Sequence, residues 1–203
     1  MTYGRLPSFL ALCGLAMATA APAAAETVVL QLDPQATHVS FSFGATFKGV
    51  RGGLDVREGQ ITLAPETGAA GGRIVLDLTS ARTGVIRRDR KMHQKILESA
   101  QYPLATFYPE RVDGRLHREG SSDIQIHGRL DFHGASHEIG IVATAKAHGD
   151  QVTANGFFTI PYIAWGLRDP SFFILRVAKE VRVDVQAVGR LMGGALESER
   201  SGR

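Results

Sequence analysis

The chain has 203 residues, of which 44% are hydrophobic and 21% are charged, and its formal net charge is only +3. This composition excludes a chain that is disordered throughout, and the length suits a domain with a sizeable core. Its 23 glycines do not recur at every third position, and Cys13 is the single cysteine, so collagen-like and disulfide-rich classes are excluded.

The first 25 residues have the pattern of a secretory signal peptide. Arg5 precedes an apolar run over residues 9–18, which is shorter than the roughly 20 residues that span a bilayer. Small residues from Ala21 to Ala25 follow this run, as at a signal-peptidase site. We expect cleavage after Ala25 and a soluble product in the periplasm, without disulfides. The alternatives are an uncleaved anchor and a short buried helix.

The rest of the chain alternates polar and apolar residues over several segments. Apolar side chains occupy every second position over residues 38–43, 73–79, 123–133 and 181–185. Successive side chains of a strand point to opposite faces, so these segments are predicted to be half-buried strands. Turn-forming residues separate them, as at residues 134–136. The spacing indicates about eight strands in an antiparallel, all-β sheet.

One segment has helical periodicity instead. Met92 and Ile96 are four residues apart within residues 89–99, with basic residues between them. This spacing predicts a short amphipathic helix that ends before Pro103. No linker divides residues 26–188, which we expect to form one domain, and residues 189–203 are expected to be a flexible tail.

An antiparallel meander leaves unpaired edges unless it closes into a barrel. An eight-stranded barrel has room inside for side chains or for one small ligand. An apolar lining would provide a dry cavity for an apolar ligand. The same alternation also fits a filled barrel or a sandwich, and the pattern alone does not choose among the three.

Signatures of common enzyme classes are absent, including G-x-S-x-G, dinucleotide-binding and phosphate-binding loops. His133 and His137 flank a predicted turn close to Asp131, which raises a metal site, a hydrolase or an isomerase as alternatives. We favour exposed histidines at the end of a hairpin over a metal site. A Ser136–His133–Asp131 hydrolase triad is weaker still, because all three residues lie near one turn and nothing nearby supplies an obvious oxyanion hole. We therefore expect no catalytic residue, no metal and no cofactor.

A basic cluster lies between residues 82 and 95, where six cations face one acid, Asp89, and leave a local charge of +5. The cations are Arg82, Arg87, Arg88, Arg90, Lys91 and Lys95. Arginine presents a planar fork of donors that suits a phosphate or pyrophosphate head group. The cluster could also contact an anionic membrane surface transiently, or form a solvated helix face. No nucleic-acid partner is expected, because the aromatic residues fall on apolar strand faces and not among these cations.

Four stretches of the sequence resemble the YceI family of exported lipid-binding proteins. They cover residues 32–41, 88–107, 128–134 and 161–171, and together they extend over about residues 30–188. The second stretch reads R-D-R-K-M-H-Q-K-I-L-E-S and runs into Y-P, and it is the most specific of the four. The chain departs from the family at Phe43-Gly44-Ala45, where many members have a histidine.

The resemblance implies an eight-stranded antiparallel, lipocalin-like barrel with a short accessory helix. It also implies an elongated apolar cavity for a polyisoprenoid or a similar long-chain amphiphile, a periplasmic location and no catalytic residue. We expect a protein that sequesters or carries such a lipid. The alternatives are a periplasmic enzyme that uses the same cavity and a non-enzymatic stress protein.

The expected ligand-binding residues combine apolar side chains with part of the basic cluster. Core packing is the default role for each aromatic residue alone, but as a set they would line a cavity or its mouth. The expected residues are Phe41, Phe43, Phe47, Leu76, Phe107, Phe132, Phe158, Trp165, Phe172, Arg87, Arg88 and Arg90.

Overall fold

A computed structural model describes residues 27–45, 49–117, 119–170 and 177–192. The expected signal peptide, Phe47 and Phe172 lie outside the described residues. The described residues form strands and one helix, which in chain order are β1 (Val28–Leu32), β2 (His38–Phe43), β3 (Val50–Ala64), β4 (Ala69–Arg82), α1 (Ile86–Lys95), β5 (Leu104–Asp113), β6 (Glu119–Phe132), β7 (Ala135–His148), β8 (Gln151–Ile160) and β9 (Val181–Met192). None of the helical segments in these ranges is long and apolar enough to cross a membrane.

The strands close into an antiparallel barrel. From β3 to β9 each strand pairs with the next one in the chain, and both β1 and β2 pair with β3 on one side and with β9 on the other. Thus β1 and β2 are two segments of one interrupted strand. The nine segments fill eight positions, which confirms the expected eight-stranded barrel and excludes the sandwich.

The interruption between β1 and β2 is a short turn over residues 33–37. The side chain of Asp33 accepts the backbone N–H groups of Gln35 and Ala36, as aspartate commonly does at turns. The side chain of the buried Thr37 then takes the place of a backbone group in the hydrogen bonding to β9. Its hydroxyl donates to the carbonyl oxygen of Val188 at 3.2 Å and accepts the N–H of Val188 at 3.1 Å.

Alternation along the strands places the core inside the barrel, as the sequence predicts. On β6, Ile124, Leu130 and Phe132 are buried, while the polar residues between them face outward or are only partly covered. On β2 and β9, Val39 and Val183 are buried in the same core. The apolar faces of the strands therefore meet at the barrel axis.

The β6–β7 connection is tighter than the predicted turn over residues 134–136. Residues 133 and 134 both have positive φ, 52° for His133 and 80° for Gly134, which is the pattern of a two-residue hairpin turn that matches strand twist. Because Ala135 already pairs with Phe132, β7 begins at Ala135. The turn thus lies one residue earlier than predicted.

Helix α1 begins three residues before the predicted start at Asp89 and ends four residues before Ser99. The chain leaves the helix through Glu98, whose φ is 45° and whose carbonyl oxygen accepts the N–H groups of Gln101 and Tyr102. A left-handed residue cannot continue a right-handed helix. Residues 96–99 therefore form a terminating turn and not a last helical turn.

Strand β9 continues through Met192, so residues 189–192 belong to the barrel and not to the flexible tail that was expected to start at Gly189. Gly189 and Arg190 pair with both β1 and β8. A Cβ atom at Gly189 would lie 2.6 Å from the carbonyl oxygen of Gln31. The glycine is thus a site of close strand approach, which its sequence neighbours do not reveal.

Candidate ligand-binding cavity

The barrel contains a cavity of about 580 Å³ at the end where β4 leads into α1. We call it the mouth cavity. Its volume lies within the range of small-molecule sites. Apolar side chains from β2, β3, β4, β8 and β9 supply most of its lining, with further residues from α1. The barrel is therefore not filled by its own side chains.

A second cavity of about 140 Å³, the far cavity, lies toward the opposite end of the barrel. Its described lining is apolar apart from Thr37 and His117. Alternate residues of β7, namely Ala143, Ala145 and Ala147, contribute small side chains to this lining. Small inward residues leave unfilled space where larger ones would meet across the barrel.

The two cavities lie one after the other along the barrel axis. Five residues line both of them, and these form the division between the two spaces: Val39, Leu76, Leu130, Phe158 and Val183. All five are aliphatic or aromatic, so the described residues place no polar side chain across the apolar path at this point. The barrel interior thus has the elongated form that suits a long apolar chain.

Polar groups at the mouth cavity are few and carry one sign of charge. Among the described lining residues, Arg87, Arg88 and Lys91 are the charged ones, and no carboxylate is present. All three are on α1, which lines the mouth cavity but not the far cavity. An apolar space with cations at one end is complementary to an amphiphile with an anionic head.

The start of α1 is fixed to the end of β4 through Thr83. The carboxylate of Asp89 accepts the Thr83 N–H at 2.9 Å and also the Thr83 hydroxyl. Arg88 donates from Nε to the Thr83 Oγ1 at 2.7 Å and from Nη2 to the Thr83 carbonyl oxygen at 3.1 Å. Burial by itself would raise the pKa of Asp89, but the hydrogen bonds from Thr83 outweigh it and lower that pKa. The R-D pair of the sequence motif therefore positions the helix.

The middle of α1 is held by His93. Its Nε2 lies 2.8 Å from the carbonyl oxygen of Ala81, and its Nδ1 lies 2.9 Å from the hydroxyl of Ser99. A carbonyl oxygen only accepts, so Nε2 carries a proton, and in the neutral ring Nδ1 accepts from Ser99. Met92 packs against the core from the same helix. The histidine and serine of the motif thus anchor the helix beside the cavity.

Most of the predicted ligand-binding residues are brought together. Seven of them line the mouth cavity: Phe41, Phe43, Leu76, Arg87, Arg88, Phe132 and Phe158. Phe107 lines the far cavity. Arg90 and Trp165 line neither cavity, while Phe47 and Phe172 lie outside the described residues.

Trp165 lies outside the cavity lining, and its ring contacts two other rings. The indole stacks on the imidazole of His137, with 3.9 Å between the ring centroids and 6° between the planes. Phe132, which does line the mouth cavity, has its ring centroid 6.3 Å from the indole. Trp165 therefore supports Phe132, which lines the mouth cavity, without lining the cavity itself.

Arg82 does not belong with the other cations of the basic cluster. It forms an ion pair with Asp55, with 2.9 Å between its Nη2 and the Asp55 Oδ1. Arg82 is the last residue of β4, and this ion pair links it to β3. Among the described lining residues, the positive charge at the mouth cavity comes from α1.

The prediction that His133 and His137 are exposed is wrong, because aromatic rings cover both. The ring of Tyr102 lies 4.4 Å from that of His133, whose Nε2 lies 3.2 Å from a carboxylate oxygen of Glu98. Trp165 covers His137, and burial lowers the pKa of His137. The described residues offer no hydrogen-bond partner to the buried Nε2 of His137.

The residues proposed for the enzyme alternative lie away from the cavities. His133, His137 and Asp131 are absent from the described lining of both. The Ser136 hydroxyl donates directly to Asp131, so no histidine lies between them. Within the described ranges, no three His, Cys, Asp or Glu side chains are grouped as metal ligands would be.

Several lining residues were missed by the sequence prediction. Val39 and Leu78 lie on the inward faces of strands whose alternation was recognised, so the pattern already contained them. Tyr162 and Leu167 come from the connection after β8, and both are buried. No periodicity marks that connection, and only the closed barrel brings it to the mouth cavity.

Comparisons with known proteins agree with this architecture. A polyisoprenoid binding domain from Saccharophagus degradans, implicated in plant cell wall breakdown, has a TM-score of 0.63 and 18% identity, covering 79% of this chain and 97% of its own. BcnA from Burkholderia cenocepacia has a TM-score of 0.63 and 17% identity, covering 77% of this chain and 98% of its own. No curated protein matches this sequence. Residues 30–189 match the YceI-like domain, and the chain therefore belongs to the YceI-like family.

Proposed function

We propose that this protein is a periplasmic binding protein that holds a polyisoprenoid, or a similar long-chain amphiphile, inside the barrel without altering it covalently. The observation that carries the proposal is the arrangement of two apolar cavities in line, where the arginines and lysine among the described lining residues all lie at the mouth end. This arrangement has a direction. The apolar chain would extend from the mouth cavity toward the far cavity, and the head group would remain at α1.

The apolar lining supplies the driving force for chain binding. Each Å² of apolar surface removed from water contributes about 25 cal/mol. The cavity walls are already formed by strands, so the protein orders little on binding. A preformed apolar site of this kind therefore binds chains with little dependence on their detailed shape.

Arg87 and Lys91 are suited to an anionic head group. Both line the mouth cavity, and among the described residues neither has a carboxylate within 4.0 Å. Arg88 differs, because two of its nitrogens already donate to Thr83. We assign head-group binding to Arg87 and Lys91, and we assign Arg88 mainly to positioning the helix.

Two further observations support the proposal. The structural relative from Saccharophagus degradans is described as a polyisoprenoid binding domain. The first 25 residues have the composition of an export signal. Long isoprenoid chains are apolar, so they would need a carrier to cross an aqueous compartment.

The experiment is lipid analysis of protein made with its own leader. The chain is purified from the periplasmic fraction without detergent, and lipids extracted from it are identified by mass spectrometry. We expect a long-chain isoprenoid or similar amphiphile at a constant ratio to protein. Recovery of the protein in the cytoplasm would overturn the location. Repeated absence of lipid, together with no uptake of added polyprenyl phosphate, would overturn the binding function.

Two pairs of variants make the test specific. Ala105→Trp fills the mouth cavity from a buried position, whereas Ala69→Trp makes the same change at an exposed position, so only the first should lose lipid. The double variant Arg87→Glu, Lys91→Glu should lose polyprenyl phosphate but keep neutral polyprenol. Lys146→Glu on the outer wall should change neither.

A further inference from the structure

Two aliphatic side chains are exposed where the chain enters α1. Ile86 is 80% exposed and Val85 is 47% exposed. Val85 also lines the mouth cavity, whereas Ile86 does not. Single exposed aliphatic residues are common on protein surfaces, but this adjacent pair stands at the rim of an apolar cavity.

The same surface carries uncompensated positive charge. Arg90 lies one helical turn after Ile86, and Lys91 lies one turn after Arg87, so the two rows are neighbours on the helix. In the described parts of the chain, no carboxylate comes within 4.0 Å of these three cations. The one acid of the helix, Asp89, is engaged by Thr83.

We propose that Val85, Ile86, Arg87, Arg90 and Lys91 form a docking surface for an anionic phospholipid bilayer, so that the mouth cavity faces the membrane while its ligand enters or leaves. The inference rests on the proposed function for the ligand and adds the route by which the ligand arrives. Aliphatic residues that enter the interface, next to cations that contact anionic head groups, are the two requirements of peripheral membrane binding.

The composition of the docking surface favours a bilayer over a protein partner. A stable protein interface buries about 800 Å² on each side, and charged residues are depleted in its centre. Here the apolar part consists of two side chains with cations directly beside them. A second exposed apolar pair, Val142 and Phe157 on the barrel wall, lacks this charge, because Arg182 covers Phe157 and is paired with Asp184.

The test is sedimentation of the protein with vesicles of phosphatidylcholine alone, or of phosphatidylcholine mixed with phosphatidylglycerol. We expect binding to the anionic vesicles, weaker binding at high salt because the charges are screened, and little binding to the neutral vesicles. The variants Ile86→Asp and Arg90→Glu should each weaken binding by about tenfold. Val142→Asp and Lys146→Glu make the same chemical changes on the barrel wall and should bind like the wild type.

A second measurement separates docking from ligand binding. Ile86 and Arg90 do not line the mouth cavity, so their variants should take up water-dispersed short-chain polyprenyl phosphate as the wild type does when vesicles are absent. If the wild type takes up polyprenyl phosphate but binds no vesicles, the docking surface is overturned and the proposed function stays intact. If the wild type binds vesicles but takes up no polyprenyl phosphate, the proposed function is overturned. Equal vesicle binding by Ile86→Asp, Arg90→Glu and the wild type, with unchanged thermal unfolding, would also overturn the docking surface.

Discussion

The imidazole of His137 lies flat on the indole of Trp165, with 3.9 Å between the ring centroids. The stack joins the start of strand β7 to the connection after β8, and Phe132 continues it into the wall of the mouth cavity. A titratable ring is thus part of the support for the binding site.

Acidification should weaken the fold through His137. Burial lowers the pKa of His137 below 6.5 in the folded state, so the unfolded chain takes up a proton first as the pH falls. The stability contributed by the neutral ring is complete above 6.5 and is lost as the pH falls toward the folded pKa. The variant His137→Phe keeps an aromatic ring on Trp165 but cannot titrate. Its melting temperature should therefore fall less than that of the wild type between about pH 7.5 and pH 5.

The comparison between wild type and variant isolates this histidine, because all other titrating groups are common to both proteins. His38→Phe serves as the control, since His38 is exposed. Identical pH profiles for the wild type and His137→Phe would show that the covered ring does not couple to folding.

Loss of the His93 side chain should loosen α1. The variant His93→Ala leaves the Ala81 carbonyl oxygen and the buried Ser99 hydroxyl without their partner. Unsatisfied buried groups cost about 1–3 kcal/mol each, so the free energy of unfolding in urea should fall by that order. Amide hydrogen exchange should become faster in α1 than in β6. A variant that is as stable as His38→Ala would contradict the anchoring role.

Leu130 is expected to divide the two cavities. It is only 2% exposed and lines both of them. The variant Leu130→Ala should lose about 2–5 kcal/mol of stability and join the cavities into one space. Lipid recovered from the variant should then shift toward longer or bulkier chains in mass spectrometry. Leu104→Ala, at a residue that is 37% exposed, should cost far less and leave the lipid profile unchanged. An unchanged profile in Leu130→Ala would rule out the dividing role.

Gly52 should be required for the position of Phe41. A Cβ atom at residue 52 would lie 2.3 Å from the Phe41 ring and 2.6 Å from the Arg82 carbonyl oxygen, whereas at the neighbouring Gly53 the nearest atom is 3.4 Å away. Gly52→Ala therefore pushes the ring into the mouth cavity, with a cost of about 1–3 kcal/mol and weaker lipid uptake. Gly53→Ala is the matched control. Equal stability and uptake in the two variants would refute the prediction.

Local periodicity predicted the parts of this fold that depend on one segment at a time. The alternation over residues 123–133 gives the inward face of β6 directly, and the spacing of Met92 and Ile96 gives the helix. The need to pair the edges favoured a closed barrel, but a sandwich remained open until the family resemblance implied the barrel. The family resemblance then implied the elongated cavity, which alternation alone had left open.

The features that were not predicted depend on contacts between distant segments. Trp165, in the connection after β8, stacks on His137 of β7, and Arg82 is paired with Asp55 across the β3–β4 strand pair. A count of charges between residues 82 and 95 therefore included a cation that has its own partner. In the same way, the turn over residues 33–37 gives no sign that the segments before and after it share one position in the barrel.

That shared position has a consequence for how the barrel opens. β1 and β2 each complete the cylinder separately, one near the far cavity and one near the mouth, and Thr37 links them through Val188. The barrel is thus closed by two short strand pairings with β9 instead of one long one. Separation of β2 from β9 would widen the entrance to the mouth cavity, while β1 would stay paired with β9 near the far cavity. A bulky lipid could then enter without the whole barrel opening.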